Sequence, residues 1–246
     1  FEGAMCSDHF HPWIAEEGQS GFAWSWLGAA LQATSLTFGT VNAPGWRYHP
    51  AIIAQAAATL ALMYPKRFWL AIGSGEALNE AITGLPWPPK PERTARLAEC
   101  ADVMRRLWRG ETVTHHGRVV VEEAKLYSRP KEAPLLLAAA LSAETAATVA
   151  PWADGLATVG DIESVRKVVT AFRENGGAGK PVFLQHVLSW APTEEAALAQ
   201  AQEQWRQSVL DGKQLAELRT PAEFAAASAR VTPTEVAKQV HVSSDL

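Results

Sequence analysis

Residues 68–80 read FWLAIGSGEALNE, and this stretch contains the pattern that repeats along the chain. The apolar run 68–72 predicts a buried β-strand, and the two glycines that follow predict a turn at its end. Comparable short apolar runs recur, and stretches whose apolar residues repeat at helical spacing lie between them. Because alternating strands and helices require crossover connections, the sequence predicts a parallel sheet.

Six strands are predicted, at residues 3–6, 36–41, 68–72, 135–139, 156–159 and 182–190. A (β/α)8 TIM barrel needs eight parallel strands in about 250 residues. The chain starts almost directly on a strand and ends with VHVSSDL at 240–246. We therefore expect one α/β barrel domain over residues 1–246, with the first and last βα units absent from this chain. An open doubly wound sheet is the alternative.

Two segments interrupt the alternation. Residues 111–128 predict a small hairpin that turns near His116 and Gly117. Residues 209–232 predict a long excursion before the last helix. Neither segment has the composition of a linker, so the expectation of a single domain stands.

The bulk composition excludes several classes of protein. The chain has 246 residues, 48% of them hydrophobic, with a formal net charge of −4. This charge gives no electrostatic reason to bind nucleic acid or an anionic membrane surface. The apolar runs fall short of the roughly 20 residues that span a bilayer. The two cysteines form no disulfide framework, so we expect a reducing, cytoplasmic location.

Polar and aromatic side chains follow the first predicted strand, in CSDHFHPW at residues 6–13. Asp8 beside His9 could hold the imidazole for acid–base chemistry near neutral pH. The pair His9 and His11 also has the H-x-H spacing of metal-dependent barrel hydrolases. The histidines elsewhere in the chain do not follow strands in a way that completes a metal site. A polar loop that caps neighbouring backbone is the structural alternative.

Three further stretches follow predicted strands, at 39–50, 71–80 and 137–150. The first, GTVNAPGWRYHP, is either a bulged loop that lies behind a flat ligand or a strand-to-helix connection whose aromatic residues pack together. In the second, glycines around Ser74 let backbone approach a ligand, and Glu76 is a carboxylate whose burial would make it an acid. Its spacing fits neither a Rossmann fingerprint nor a P-loop. In the third, Ser142 caps a helix whose free N–H groups could bind phosphate.

Taken together, these motifs resemble the bacterial luciferase-like flavin and deazaflavin superfamily, in the branch of the F420-dependent glucose-6-phosphate dehydrogenases and their relatives predicted to use an ordinary flavin. The resemblance rests on the order of SDHFHPW, FAWSWLGAALQAT, RYHPAIIAQAAATLALMYPKRF, GSGEALNE, RLAECADVMRRLW and WADGL. It implies a luciferase-like (β/α)8 barrel, a homodimer, and FMN or coenzyme F420 at the C-terminal mouth of the barrel.

The resemblance also implies roles for individual residues. His9 and Glu76 would handle protons, and Trp13 would wall the catalytic site. The residues implied to hold the cofactor are Asp8, Val41, Ala43, Ser74, Gly75, Asn79, Ala140, Leu141 and Ser142. A non-proline cis peptide near Thr40 and Val41 would support a bulge behind the cofactor ring.

The chain departs from its relatives at two places. Ala140, Leu141 and Ser142 stand where the phosphate loop of the relatives has paired glycines. The stretches that would grip a substrate phosphate have lost most of their positive charge, at 158–160, 224–226 and 238–239. A dianionic substrate would bury its charge without partners there. We therefore do not expect a glucose-6-phosphate dehydrogenase.

The sequence thus predicts an oxidoreductase that transfers hydride between FMN or F420 and a small organic substrate. A luciferase-like monooxygenase and a non-catalytic flavin-binding relative are the alternatives within the superfamily. A metal-dependent hydrolase built on the H-x-H pair is the alternative outside it.

Overall fold

A computed structural model describes residues 3–245 of the chain. Its main sheet has six parallel strands in sequential order, which confirms the predicted alternation. The ten strands of the described residues are β1 (Gly3–Ser7), β2 (Thr37–Asn42), β3 (Phe68–Ile72), β4 (Val113–His116), β5 (Val120–Ala124), β6 (Leu135–Ala139), β7 (Gly155–Val159), β8 (Val182–Gln185), β9 (Leu188–Trp190) and β10 (His241–Ser243).

Helices connect the strands of the main sheet and pack on its outer face. The α-helices of the described residues are α1 (Ala23–Ala33), α2 (Pro50–Met63), α3 (Ala77–Glu80), α4 (Lys90–Arg109), α5 (Ala143–Val149), α6 (Ile162–Phe172), α7 (Glu194–Trp205), α8 (Gly212–Glu217), α9 (Pro221–Ser228) and α10 (Pro233–Val236). Several begin at side chains that accept backbone N–H groups, such as Asp161 before α6 and Thr193 before α7.

The main sheet, in the order β1-β2-β3-β6-β7-β8, curls into a half-barrel. Its strands never reverse order, as the strands of a doubly wound sheet do, so that alternative is wrong. The TIM-barrel type of the fold is supported. The expectation that the first and last βα units are absent stays a prediction.

The prediction of one strand over residues 182–190 is wrong. β8 ends at Gln185, and β9 pairs in parallel with β10 in a separate two-stranded sheet. The backbone N–H of His241 donates to the Val187 carbonyl, so the chain has changed its pairing partner between the two strands. Sequence patterning missed β10 because three residues are too few to show alternation.

The predicted hairpin and excursion correspond to distinct structures. β4 pairs antiparallel with β5 across the Gly117 turn, inside the range 111–128. The excursion about 209–232 contains α8 and α9. α8 packs against α3, so the excursion reaches the end of the sheet where β3 stops.

The apolar core lies between the outer face of the sheet and the helices that cover it. Ile53 on α2, Leu70 on β3 and Met104 on α4 are fully buried in one cluster. This arrangement leaves the concave face of the sheet to line a cavity. Within residues 3–245, no helix is both long enough and apolar enough to span a membrane.

Gly39 on β2 permits a close contact inside the curl, because the Trp69 indole lies where its side chain would be. A Cβ at Gly39 would lie 2.1 Å from Trp69 ring carbons. We expect Gly39→Ala to destabilise the protein by about 1–3 kcal/mol, as overpacked cores do. Gly28→Ala in α1 is the matched control, because a Cβ there meets nothing within 4 Å.

The control should instead gain about 0.5–1 kcal/mol, since alanine favours helix. Urea unfolding of both variants measures the two effects. Equal stability of Gly39→Ala and the unaltered chain would show that the indole moves aside without cost.

Candidate active site

The ends of the parallel strands meet at one mouth of the half-barrel, where a cavity of about 1760 Å³ runs along the concave face. All the residues assigned a site role from the sequence border this cavity. They are Asp8, His9, Trp13, Val41, Ala43, Ser74, Gly75, Glu76, Asn79, Ala140, Leu141 and Ser142. The loops after β1, β2, β3 and β6 therefore all border one cavity.

His9 and Glu76 face each other across this mouth. Nε2 of His9 lies 3.6 Å from Oε2 of Glu76, and the side chains keep 18% and 31% of their exposure. The His9 ring also meets the edge of Trp13, with ring centroids 5.0 Å apart. The structure therefore brings the imidazole, the carboxyl group and the tryptophan wall together, as the strand-end argument predicts.

The surroundings favour the neutral form of both groups. Burial, followed by the nearby Glu80 carboxylate, raises the pKa of Glu76 to about 8, although a hydrogen bond from Asn79 opposes the shift. Burial, followed by the positive charge of Arg47, lowers the pKa of His9 to about 4. At neutral pH the mouth therefore holds an imidazole that can accept a proton beside a carboxylic acid that can donate one.

Asp8 is buried at the base of the site. Its Oδ2 accepts hydrogen bonds from Trp24 Nε1 at 3.0 Å and from Asn42 Nδ2 at 2.6 Å. Its Oδ1 lies 3.4 Å from the guanidinium of Arg47. The backbone N–H of Asp8 donates to the Val41 carbonyl, which fixes the β1 end against β2. Protein groups thus already lie close to both oxygens of the Asp8 carboxylate.

Arg47 and Glu80 complete this network, and the sequence analysis assigned a role to neither of them. Arg47 donates from Nε to Oε1 of Glu80 at 3.3 Å and from its backbone N–H to Oε2 at 3.1 Å. Its Nη2 also donates to the Asp8 backbone carbonyl. The sequence feature that could have pointed to Glu80 is its spacing of four residues from Glu76, which places both residues on one helical turn.

Asn79 ties two loops of the site together. Its Oδ1 accepts the backbone N–H groups of Phe10 at 2.9 Å and His11 at 3.4 Å, and its Nδ2 donates to Glu76 at 3.3 Å. The amide is thus occupied by protein partners. The role of Asn79 in holding a cofactor stays a proposal.

His11 contacts the backbone of α3 and is not part of the His9–Glu76 pair. Its Nδ1 lies 2.9 Å from the Leu78 carbonyl, within hydrogen-bond distance, so the side chain joins the loop to α3. Within residues 3–245, no group of three His, Cys, Asp or Glu side chains is placed to hold a metal ion. The second histidine of the H-x-H pair therefore has a hydrogen-bond partner within the loop structure.

The strand end after β6 forms a helix cap. Ser142 Oγ accepts the Thr145 N–H at 3.3 Å and receives a hydrogen bond from Lys90 Nζ at 3.3 Å. The Ala140 N–H donates to the Ala157 carbonyl, so that donor is already used.

The expected cis peptide near Thr40 and Val41 is wrong, because no peptide bond in the described residues is cis. A trans peptide avoids about 3 kcal/mol of conformational cost.

The excursion, residues 209–232, covers the mouth of the cavity, and we call it the roof. Trp13 packs edge-on against Phe224 of α9, with centroids 5.1 Å apart. Trp87 Nε1 donates to the Ala216 carbonyl at 3.1 Å, and Arg93 pairs with Glu217 at 2.8 Å. These contacts hold α8 against the loop before α4.

Known proteins share this fold and these motifs. The F420-dependent glucose-6-phosphate dehydrogenase of Mycobacterium avium (strain 104) is 34% identical over 258 residues, covering 99% of this chain and 76% of that protein. The enzyme of the same name from Microbacterium testaceum (strain StLB037) is 44% identical over 149 residues. That match covers 59% of this chain and 44% of the relative, so it spans less than half of the relative's length.

A solved structure extends the likeness to the whole chain. It is an F420-dependent secondary alcohol dehydrogenase in complex with an F420–acetone adduct, with a TM-score of 0.90 and 30% identity. The match covers 100% of this chain and 78% of that one. The family model described as luciferase-like monooxygenase matches residues 1–244. With this match and the strand order of the sheet, the chain belongs to the luciferase-like monooxygenase family.

Proposed function

We propose that the chain is the catalytic part of an F420-dependent oxidoreductase that transfers hydride between the cofactor and the reacting carbon of an alcohol or carbonyl compound. The observation that carries the proposal is the His9–Glu76 pair, 3.6 Å apart at the mouth of the half-barrel. The likeness to the F420-dependent secondary alcohol dehydrogenase and to the glucose-6-phosphate dehydrogenases supports the choice of F420.

The residues of the mouth suit such a cofactor. In the described part of the chain, Asn42 Oδ1 and Thr158 Oγ1 are buried at the cavity without a hydrogen-bond partner. A ring that carries N–H and carbonyl groups can satisfy atoms of this kind. Gly73 leaves its strand end open, since a Cβ there would meet only Ala139, at 3.4 Å.

We assign the cofactor to the cavity wall formed by the strand ends. Its ring would lie against Val41, Ala43, Ser74 and Gly75, and its tail would follow residues 140–142. Gly75 has a φ of +85°, and a Cβ there would approach Ala43 and Trp87 at 3.1 Å. Glycine is therefore needed to bring this backbone to the cavity wall. When bound, the cofactor supplies a ring that accepts or gives up a hydride.

The protein side of the reaction is proton transfer. In the direction of alcohol oxidation, Nε2 of neutral His9 takes the hydroxyl proton while the hydride leaves the adjacent carbon. Glu76 holds a proton on its carboxyl group and can deliver it into the cavity. Trp13, which packs against Phe224 of α9, forms a wall beside this pair. In the reverse direction His9 returns the proton to the carbonyl oxygen.

The charges at the mouth favour an uncharged substrate. Arg47 is paired with Asp8 and Glu80, and Arg93 is paired with Glu217. These two arginines are already paired with carboxylates of the protein, and Lys90 lies at residues 140–142, where the cofactor tail is proposed to bind. Together with the loss of basic residues seen in the sequence, this supports a neutral alcohol or carbonyl compound over a sugar phosphate.

We also propose that the complete protein is a homodimer. Ile52 and Met63 on the outer face of α2 are 54% and 58% exposed, and large apolar groups on a surface suit an interface. A closed eight-stranded barrel and a cytoplasmic location remain part of the same proposal.

A binding and turnover experiment tests the proposed function. We expect the purified chain to quench F420 fluorescence on binding with micromolar or tighter affinity. We also expect secondary alcohols to bleach the absorbance of bound oxidised F420, whereas glucose 6-phosphate should not. FMN serves as the parallel ligand in both measurements.

The other outcomes each identify a different protein. Exclusive binding of FMN with oxygen consumption after reduction identifies a monooxygenase. Cofactor binding without turnover identifies a non-catalytic relative. Stoichiometric zinc and the absence of cofactor binding would indicate a hydrolase.

A further inference from the structure

A buried ion network lies directly behind the His9–Glu76 pair. Its side chains, Asp8, Arg47 and Glu80, are 1%, 7% and 2% exposed. Both carboxylate oxygens of Glu80 accept hydrogen bonds from Arg47, one from Nε and one from the backbone N–H. Burial raises the pKa of Glu80, and the charge and hydrogen bonds of Arg47 oppose that shift and favour the ionised carboxylate.

Glu80 lies one helical turn beyond Glu76. Its backbone N–H donates to the Glu76 carbonyl at 3.1 Å, so the two residues share the first turn of α3. The Glu80 side chain folds back toward the turn that carries Glu76, since its Cγ would lie 3.2 Å from a Cβ at Gly75. The Glu80 carboxylate that Arg47 holds therefore lies on the same helical turn as the carboxyl group that faces the cavity.

We propose that Glu80 is a positioning residue that, with its charge fixed by Arg47, keeps Glu76 in the protonated form that donates into the cavity. The proposal rests on the function proposed above, because it concerns the proton that Glu76 supplies. Asp8, Arg47 and Glu80 carry charges of −1, +1 and −1, and Glu80 is the member that shares a helical turn with Glu76. A like charge at close range disfavours ionisation of a carboxyl group.

The other polar groups around Glu76 are neutral or already have partners within the protein. His9 faces it from the loop after β1 and is neutral, and Asn79 donates to it from α3. On α4, Lys90 contacts Ser142, and Arg93 is paired with Glu217 of α8. Burial remains the larger cause of the raised pKa of Glu76, and the Glu80 charge is the next.

Carboxyl NMR of the cofactor-free chain, labelled with ¹³C-glutamate, tests the proposal by titrating Glu76 directly. Glu76→Gln assigns the signal. Glu80→Gln reduces the net charge of the network to zero, so we expect the ionisation constant of Glu76 to rise about ten- to hundredfold. The double variant Arg47→Gln/Glu80→Gln removes a cation together with the anion, so its Glu76 titration should shift less than that of Glu80→Gln.

The double variant separates charge from structure. If Glu80 only shaped the loop, removing both partners would disturb Glu76 more than removing one. An unchanged Glu76 titration in Glu80→Gln overturns the proposal, as does a larger shift in the double variant. Glu99→Gln, which alters an ion pair at the hairpin, should leave Glu76 unchanged.

If Glu80→Gln fails to fold, Glu80→Asp keeps the charge and moves it one methylene away. A lower pKa of Glu76 then supports the proposal, and an unchanged pKa overturns it. The titration requires no cofactor or substrate, so its result is independent of whether F420 binds. In turnover, the alkaline limb of the rate profile should move with the NMR value while cofactor affinity stays within twofold.

Discussion

Replacing His9 with alanine is expected to slow the chemical step about 10²- to 10⁴-fold, the usual contribution of a general acid–base group. This is roughly 3 to 5 kcal/mol of barrier. Nε2 of His9 faces the cavity, and its neutral form is favoured, so it is suited to take the substrate proton. Cofactor affinity should change little. Single-turnover reduction of bound cofactor measures the step directly.

His11→Ala is the matched control. His11 hydrogen-bonds the Leu78 carbonyl and does not face Glu76, so its loss should affect loop stability more than the chemical step. Equal losses of rate in the two variants would argue against the assignment of His9. So would a collapse of cofactor binding in His9→Ala with an unchanged rate per bound cofactor.

Glu76→Gln is expected to lower the rate by a similar factor at pH 7 and to abolish the alkaline limb of the pH profile. The pKa of Glu76 is raised to about 8, so the unaltered protein keeps the donor proton through neutrality and loses it as the pH rises through 8. Glutamine has no proton to donate at any pH. A pH series of single-turnover rates between 6 and 10 makes this comparison.

The same substitution should change how stability depends on pH. In the unfolded chain Glu76 ionises near pH 4.5, whereas the folded protein holds the proton up to about pH 8. Between these values the folded state binds more protons, so its stability falls as the pH rises. Glu76→Gln removes this loss, and its melting temperature should decline less than that of the unaltered chain between pH 5 and pH 9.

Glu17→Gln provides the control for the rate measurement. Burial also raises the pKa of Glu17, but this carboxylate binds the Trp13 backbone and Gln207 away from His9. It should leave the alkaline limb in place. Loss of that limb in Glu17→Gln and its survival in Glu76→Gln would transfer the donor role to Glu17.

The site residues that the sequence could predict are those that directly follow a strand. Asp8, His9 and Glu76 come just after apolar runs, and parallel strands bring their ends to one edge. Arg47 and Glu80 escaped prediction because their contact joins positions 33 residues apart, which no local pattern encodes. The resemblance placed Asn79 at the site. Only the structure shows that its amide is occupied by Phe10, His11 and Glu76.

The strands, like the site residues, could be predicted where a local sequence pattern encodes them. Continuous apolar runs such as 68–72 are buried on both faces and are visible in the sequence. The division of 182–190 depends on pairing with β10, a partner 53 residues away along the chain. Register against a distant strand is a property of the assembled sheet.

The roof over the mouth has a consequence for how substrate range can change. α8 is held by the Trp87 indole and by the Arg93–Glu217 pair, and none of these groups belongs to the strand ends that carry His9 and Glu76. Residues of the excursion that line the cavity, such as Gly212 and Ala216, can therefore be exchanged with little effect on the spacing of His9 and Glu76. Substitutions within the excursion can therefore change which substrates bind, while the strand ends that carry His9 and Glu76 stay the same.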